Sequence, residues 1–140
     1  MFSALFRPKY MLSVLLASSA GAATLTVEVS GKFAPAGPVK VALWNQEATF
    51  LKGKPFKSLS AEHKGGTARV VFTEVPPGIY AVSAFHDKNN NGRLDTGFMG
   101  KPSEPYGFSN DARGTFGPAK FRDAKFTLDE SGANLAIRLK

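Results

Sequence analysis

The sequence predicts an all-β domain, a two-sheet antiparallel sandwich of immunoglobulin or transthyretin-like type with one long ordered loop. Three observations predict it: short segments in which apolar and polar residues alternate, Gly and Pro clusters that separate them, and no sustained 3.6-residue apolar period beyond the N-terminal stretch. A small barrel satisfies the same pattern and is the alternative architecture.

The elements follow in order. Leu25, Val27 and Val29 alternate with Thr24, Thr26 and Glu28, and Val39, Val41 and Leu43 alternate with Lys40, Ala42 and Trp44, so each segment reads as a half-buried strand. Ala68, Val70 and Phe72 mark a third, the run from Ile79 to Phe85 a fourth, Phe126 with Leu128 a fifth, and Leu135, Ile137 and Leu139 a sixth. Ala48 to Leu51 is a candidate seventh. Pro35, Gly37 and Pro38 interrupt the chain after the first strand, and Gly65 with Gly66 precede the third. Pro76, Pro77 and Gly78 read as a type II turn with Gly78 at positive φ, which makes the strands on either side expected neighbours. From Asn90 to Lys120 the rhythm stops. That stretch is rich in Gly, Pro and aromatic residues without a clear strand, and Phe98, Tyr106, Phe108 and Phe116 predict an ordered excursion with its own small cluster.

The N-terminus reads as an export signal. Arg7 and Lys9 supply positive charge, Met11 to Ala17 a short apolar run, and Ala20-Gly21-Ala22 the small-residue pattern that signal peptidase accepts. Residues 1–22 are thus expected to leave as a signal peptide, by cleavage after Ala22 or Ala23, with 23–140 forming one domain in the periplasm or secreted. The apolar run is too short to span a bilayer, so the mature form is expected to have no transmembrane span. The chain has no cysteine, which leaves packing, turn chemistry and a bound ion to hold the domain together in an oxidising compartment. Removing Arg7 and Lys9 from the formal +7 leaves +5, scattered through the sequence, which excludes a nucleic-acid stripe and leaves weak attraction to an anionic envelope polymer.

One segment carries distinctive chemistry. Asp87, Asn89, Asn91, Gly92 and Asp95 have the spacing D-x-N-x-N-G-x-x-D, in which alternate side-chain oxygens turn toward one interior point. The carbonyl of Arg93 adds a further oxygen, and glycine at the sixth position permits the sharp turn. An all-oxygen donor set suits calcium, here as a structural ion, and disfavours zinc or copper. No helix precedes the loop and Phe98 stands where an EF-hand has its bidentate glutamate, so further ligands must come from elsewhere, with Glu104, Asn110 and Asp111 as candidates. Two certain carboxylates predict weak affinity, about 10⁻⁴ to 10⁻³ M. The competing reading takes Asn91-Gly92 as a tight hairpin turn.

The stretch VPPGIYAVSAFHDKNNNGRLD from Val75 to Asp95, GKPSEPYGFSNDAR from Gly100 to Arg113 and FGPAKFRDAKFTL from Phe116 to Leu128 resemble the bacterial family of unknown function numbered 2141, as does VALWNQEATFL from Val41 to Leu51. The resemblance implies small exported proteins with a sandwich-like fold and no established activity. Thr96-Gly97-Phe98 departs from the family pattern, which has an asparagine near Gly97.

The residues predict a non-enzymatic exported module, an envelope binding or structural part. The two histidines, His63 and His86, have no local catalytic partner: His86 and Asp87 are adjacent and point apart in a strand, so His86 is expected to bond a loop carbonyl and His63 to be solvated. A hydrolase or other enzyme built around His86 and the 98–113 loop is one alternative. Carbohydrate or peptide binding by an aromatic surface of Trp44, Phe50, Tyr106 and Phe108 is another, with an envelope polymer or a second exported protein as partner.

Overall fold

The computed structural model describes residues 21–33, 36–93, 104–115 and 117–140. These residues contain eight strands, β1 Ala23–Ser30, β2 Val39–Trp44, β3 Lys57–Ala61, β4 Thr67–Val75, β5 Gly78–His86, β6 Tyr106–Phe108, β7 Phe126–Leu128 and β8 Ala133–Arg138, with one short helix, α1 Phe121–Ala124. They form two sheets packed face to face, a three-stranded sheet in the order β4-β1-β8 and a five-stranded sheet in the order β3-β2-β5-β6, with β7 also on β5. The alternation seen in the sequence builds the core directly. Leu25, Val27 and Val29 of β1, Val39, Val41 and Leu43 of β2, Val70 and Phe72 of β4, and Tyr80, Val82 and Ala84 of β5 meet between the sheets. Each fully buried Val, Leu or Phe contributes about 1.5–3 kcal/mol of transfer free energy.

A second cluster lies on the other face of the five-stranded sheet. There Trp44, Ala81 and Phe108 are covered by Phe50, Ala112, Ala119, Phe121 and Ala124. The aromatic-rich excursion therefore packs onto the sheet and contributes β6 to it, where no strand was expected. Strands β6 and β7 share one edge of β5, with Ser83–Phe85 paired to β6 and Gly78–Tyr80 to β7. Buried Ser109 fills the gap between them, accepting the Val82 N–H at 2.9 Å and donating to the Ala124 carbonyl at 2.6 Å. The C-terminus closes this side of the sandwich, since Tyr106 and Lys140 exchange two backbone hydrogen bonds of 3.1 Å. Gly107 is required there, because a Cβ would lie 2.6 Å from the Arg138 carbonyl oxygen.

Three expectations are corrected, and one strand is added. The sandwich is not wholly antiparallel, since β1 and β8 pair in parallel; they come from opposite ends of the chain, so the long crossover that parallel pairing demands is already present. The strands flanking Pro76-Pro77-Gly78 are not neighbours, because β4 and β5 lie in different sheets. Two prolines without N–H groups cannot continue a ladder, the positive φ falls on Glu74 (53°) and not on Gly78, and the chain crosses the sandwich. Tyr80 straps the crossing, its hydroxyl donating to the Pro76 carbonyl at 2.5 Å. Ala48 to Leu51 is no strand: Glu47–Thr49 form a 3₁₀ turn and Leu51 has φ 62°. Finally, β3 occupies a segment whose sequence reads as polar loop; it is an edge strand paired only to β2, so nearly all of its side chains stay exposed and no apolar alternation is needed.

A candidate cation-binding loop at the end of β5

Strand β5 ends with two fully buried polar residues, His86 and Asp87, both 0% exposed. The ladder with the β2 side continues for one more bond, as the Asp87 N–H donates to the Pro38 carbonyl at 2.9 Å. The approach is close enough that a Cβ on Gly37, at φ 97°, would lie 2.2 Å from the Asp87 carbonyl oxygen. Asp87 is thereby fixed at the rim of the core with its carboxylate turned into the following loop.

That loop winds around the carboxylate. The Asp87 Oδ1 accepts the Asn91 N–H at 3.2 Å and Oδ2 accepts the Gly92 N–H at 2.8 Å. Asn89 Oδ1 also accepts from Asn91 N–H, at 3.3 Å, and Asn91 Oδ1 accepts the Arg93 N–H at 2.9 Å. The Asn90 N–H closes a turn onto the Asp87 carbonyl at 3.1 Å, with Asn90 at φ 53° and Gly92 at φ 81°. The side-chain oxygens at 87, 89 and 91 thus all serve one short run of backbone, accepting the N–H groups of Asn91, Gly92 and Arg93.

Glu104 returns to the same place. It immediately precedes the residue leading into β6, is 3% exposed, and accepts the Lys88 N–H through Oε2 at 2.8 Å. Two carboxylates therefore meet the 87–88 stretch from opposite ends of the long connection. Asp87 forms no ion pair with any described residue; the ion pairs of the described chain are Arg113 with Asp111 and Arg122 with Asp123. A buried carboxylate is costly unless hydrogen-bonded and matched by positive charge. Backbone N–H groups supply the first requirement only.

The other candidate residues fall elsewhere. Asp95 lies outside the described residues. Asn110 and Asp111 are not at the loop: Asn110 donates to the carbonyls of Asp123 and Lys125 at 3.2 and 2.8 Å, and Asp111 sits 3.9 Å from Arg113. They follow Ser109, which is bonded to Val82, on the order of 15 Å back along β5 from Asp87 at ~3.3 Å per residue. A hairpin at Asn91-Gly92 would draw on residues from 94 onward that lie outside the described ones; among those described, β5 pairs from Phe85 with Tyr106. Among the described residues, no three His, Cys, Asp or Glu side chains come together as a metal-holding group, so an ion at Asp87 would rely on amide and carbonyl oxygens.

The expected aromatic surface is core. Trp44, Phe50 and Phe108 are buried, Trp44 donating its indole N–H to Ser83 Oγ at 2.9 Å, and half-buried Tyr106 carries the Arg113 guanidinium 5.5 Å over its ring. His86 behaves as expected, its Nε2 lying 2.9 and 3.2 Å from the carbonyls of Ala36 and Gly37. His63 does not. It is half-buried, with its ring 4.9 Å from Phe33 and 5.1 Å from His86. This three-ring cluster draws on three separate segments, so no local spacing signals it.

No described helix is long and apolar enough to cross a membrane. The family model DUF2141, an uncharacterized protein conserved in bacteria, matches residues 27–136, and the chain belongs to that family. No curated protein and no solved structure matches it.

Proposed function

We propose that this DUF2141 chain is an exported, non-enzymatic envelope module whose 87–95 loop binds calcium as a structural ion. The observation that carries the reading is Asp87, a fully buried carboxylate bonded among the described residues to backbone N–H groups, with Glu104 beside it. Asp87, Asn89, Asn91, the Arg93 carbonyl and Glu104 would hold the ion. Oxygen donors of this kind fit calcium, and magnesium less well because it demands a tight octahedron and sheds water reluctantly. The non-enzymatic reading draws support from His86, which is buried with its Nε2 held by the carbonyls of Ala36 and Gly37 and not by a carboxylate. A binding partner would be an anionic envelope polymer or another exported protein.

Calcium titration followed by thermal unfolding tests the loop. An ion that binds only the folded chain at ten times its Kd adds about 1.4 kcal/mol, or roughly 4 °C in Tm. Asp87→Asn keeps the shape, removes the charge and should abolish the shift. An equal shift in that variant, or none in the parent, returns the loop to a bare turn.

Export draws support from the start of the fold. Ala23 is the first residue of β1 and is buried opposite Val75, so cleavage after Ala22 leaves the sandwich whole. The intact mass of protein recovered from the periplasm should correspond to a chain starting at Ala23; an uncleaved cytosolic chain refutes export.

A further inference from the structure

His86 presents an unsolved polar atom. Its Nε2 faces two backbone carbonyls, of Ala36 and Gly37, which can only accept, so Nε2 carries the proton. In the neutral ring Nδ1 is then a bare lone pair, and it is buried without a hydrogen-bond partner. Leaving such an acceptor dry costs about 1–3 kcal/mol. A neutral imidazole whose N–H is held by a backbone carbonyl, with the other nitrogen open, is the arrangement in which histidine binds metals, because the outer bond fixes tautomer and ring orientation.

The rings packed against His86 are Phe33 and His63, the latter 5.1 Å away between centroids and nearly perpendicular, at 89°. With metal–nitrogen bonds of ~2.0–2.1 Å, two imidazoles sharing a tetrahedral ion have centres on the order of 5 Å apart. His63 sits in the turn between β3 and β4, just before Gly65 and Gly66 at φ 60° and 87°, and is half-exposed. Its ring thus lies at the spacing of a shared ion from His86, and its exposed part borders solvent.

We propose that His86 Nδ1 and the His63 imidazole form a two-nitrogen site for a divalent transition ion of the zinc class, distinct from the oxygen donors of the Asp87 loop. Imidazole pairs prefer such borderline ions to calcium. With two protein ligands the site is a weak one, suited to an ion that is exchanged and not locked in.

The test uses tag-free mature protein and zinc chloride. Calorimetry should show one zinc equivalent bound, undiminished by excess calcium, and long-range proton–nitrogen spectra should show zinc moving the His86 Nδ1 resonance while Nε2 stays. His63→Phe preserves a ring in the cluster and should weaken zinc binding about tenfold or more; His63→Gln guards against a packing artefact and should do the same. No zinc binding by the parent, a His86 Nδ1 resonance indifferent to zinc, or unchanged affinity in the His63 variants overturns the proposal and leaves the rings as edge-to-face packing. Loss of the calcium shift alone would sink the reading of the Asp87 loop without touching this one.

Discussion

The two ends of β5 are secured by opposite chemistry. At its start, Tyr80 lays its ring in the core between the sheets and uses a neutral hydroxyl to hold Pro76, so the crossing from β4 to β5 is fixed by packing and one hydrogen bond. At its end, the chain is held by ionisable groups, Asp87 gathering the loop amides and Glu104 taking the Lys88 N–H. An apolar anchor works alike in any salt. On the proposed calcium reading, a carboxylate anchor gains strength from the cation the solution offers. On that reading one strand carries a permanent fastening and a conditional one.

The largest expected effect separates the two. Tyr80→Ala removes a buried aromatic side chain and should cost about 3–5 kcal/mol, measured by chemical denaturation. The calcium-dependent rise in Tm should persist in this variant, because the Asp87 loop lies at the far end of the strand. Asp87→Asn should behave in the reverse way, with a smaller loss in calcium-free buffer and no calcium response. If Tyr80→Ala also lost the calcium shift, the two anchors would be one cooperative unit and the contrast would fail.

The same contrast explains what could be read in advance. The core faces of β1, β2, β4 and β5 were legible because period-two alternation encodes burial directly, and the oxygen spacing from Asp87 to Asn91 was legible because it is a local pattern. Strand β3 was hidden because an exposed edge strand carries no apolar alternation. The sheet change at Pro76 was hidden because a turn motif specifies local dihedrals and not which sheet receives the next strand; the Tyr80 hydroxyl that straps the crossing reaches back four residues to Pro76. Of the three further candidates Glu104 alone reaches the 87–88 stretch, brought there by the register of β6 on β5, while Asn110 and Asp111 bond elsewhere. The meeting of His63 with His86 required the whole fold.

The smallest effect is a pH dependence of the permanent anchor. Burial pushes the Tyr80 phenol above its ordinary value of 10.0, because the anion is disfavoured away from water. A raised pKa in the folded state means that the unfolded chain releases this proton first. The contribution of Tyr80 is therefore complete below about pH 10 and is lost as pH rises through the folded value. Tyr80→Phe keeps the ring, loses the bond to Pro76 and should be less stable at neutral pH by about 1 kcal/mol. Above pH 10 the gap between parent and variant should narrow, since only the parent has a phenol whose ionisation favours unfolding. Urea denaturation of both proteins from pH 7 to 11 measures it, and a gap that stays constant or widens would mean that the hydroxyl at Pro76 does not hold its proton as the crossing requires.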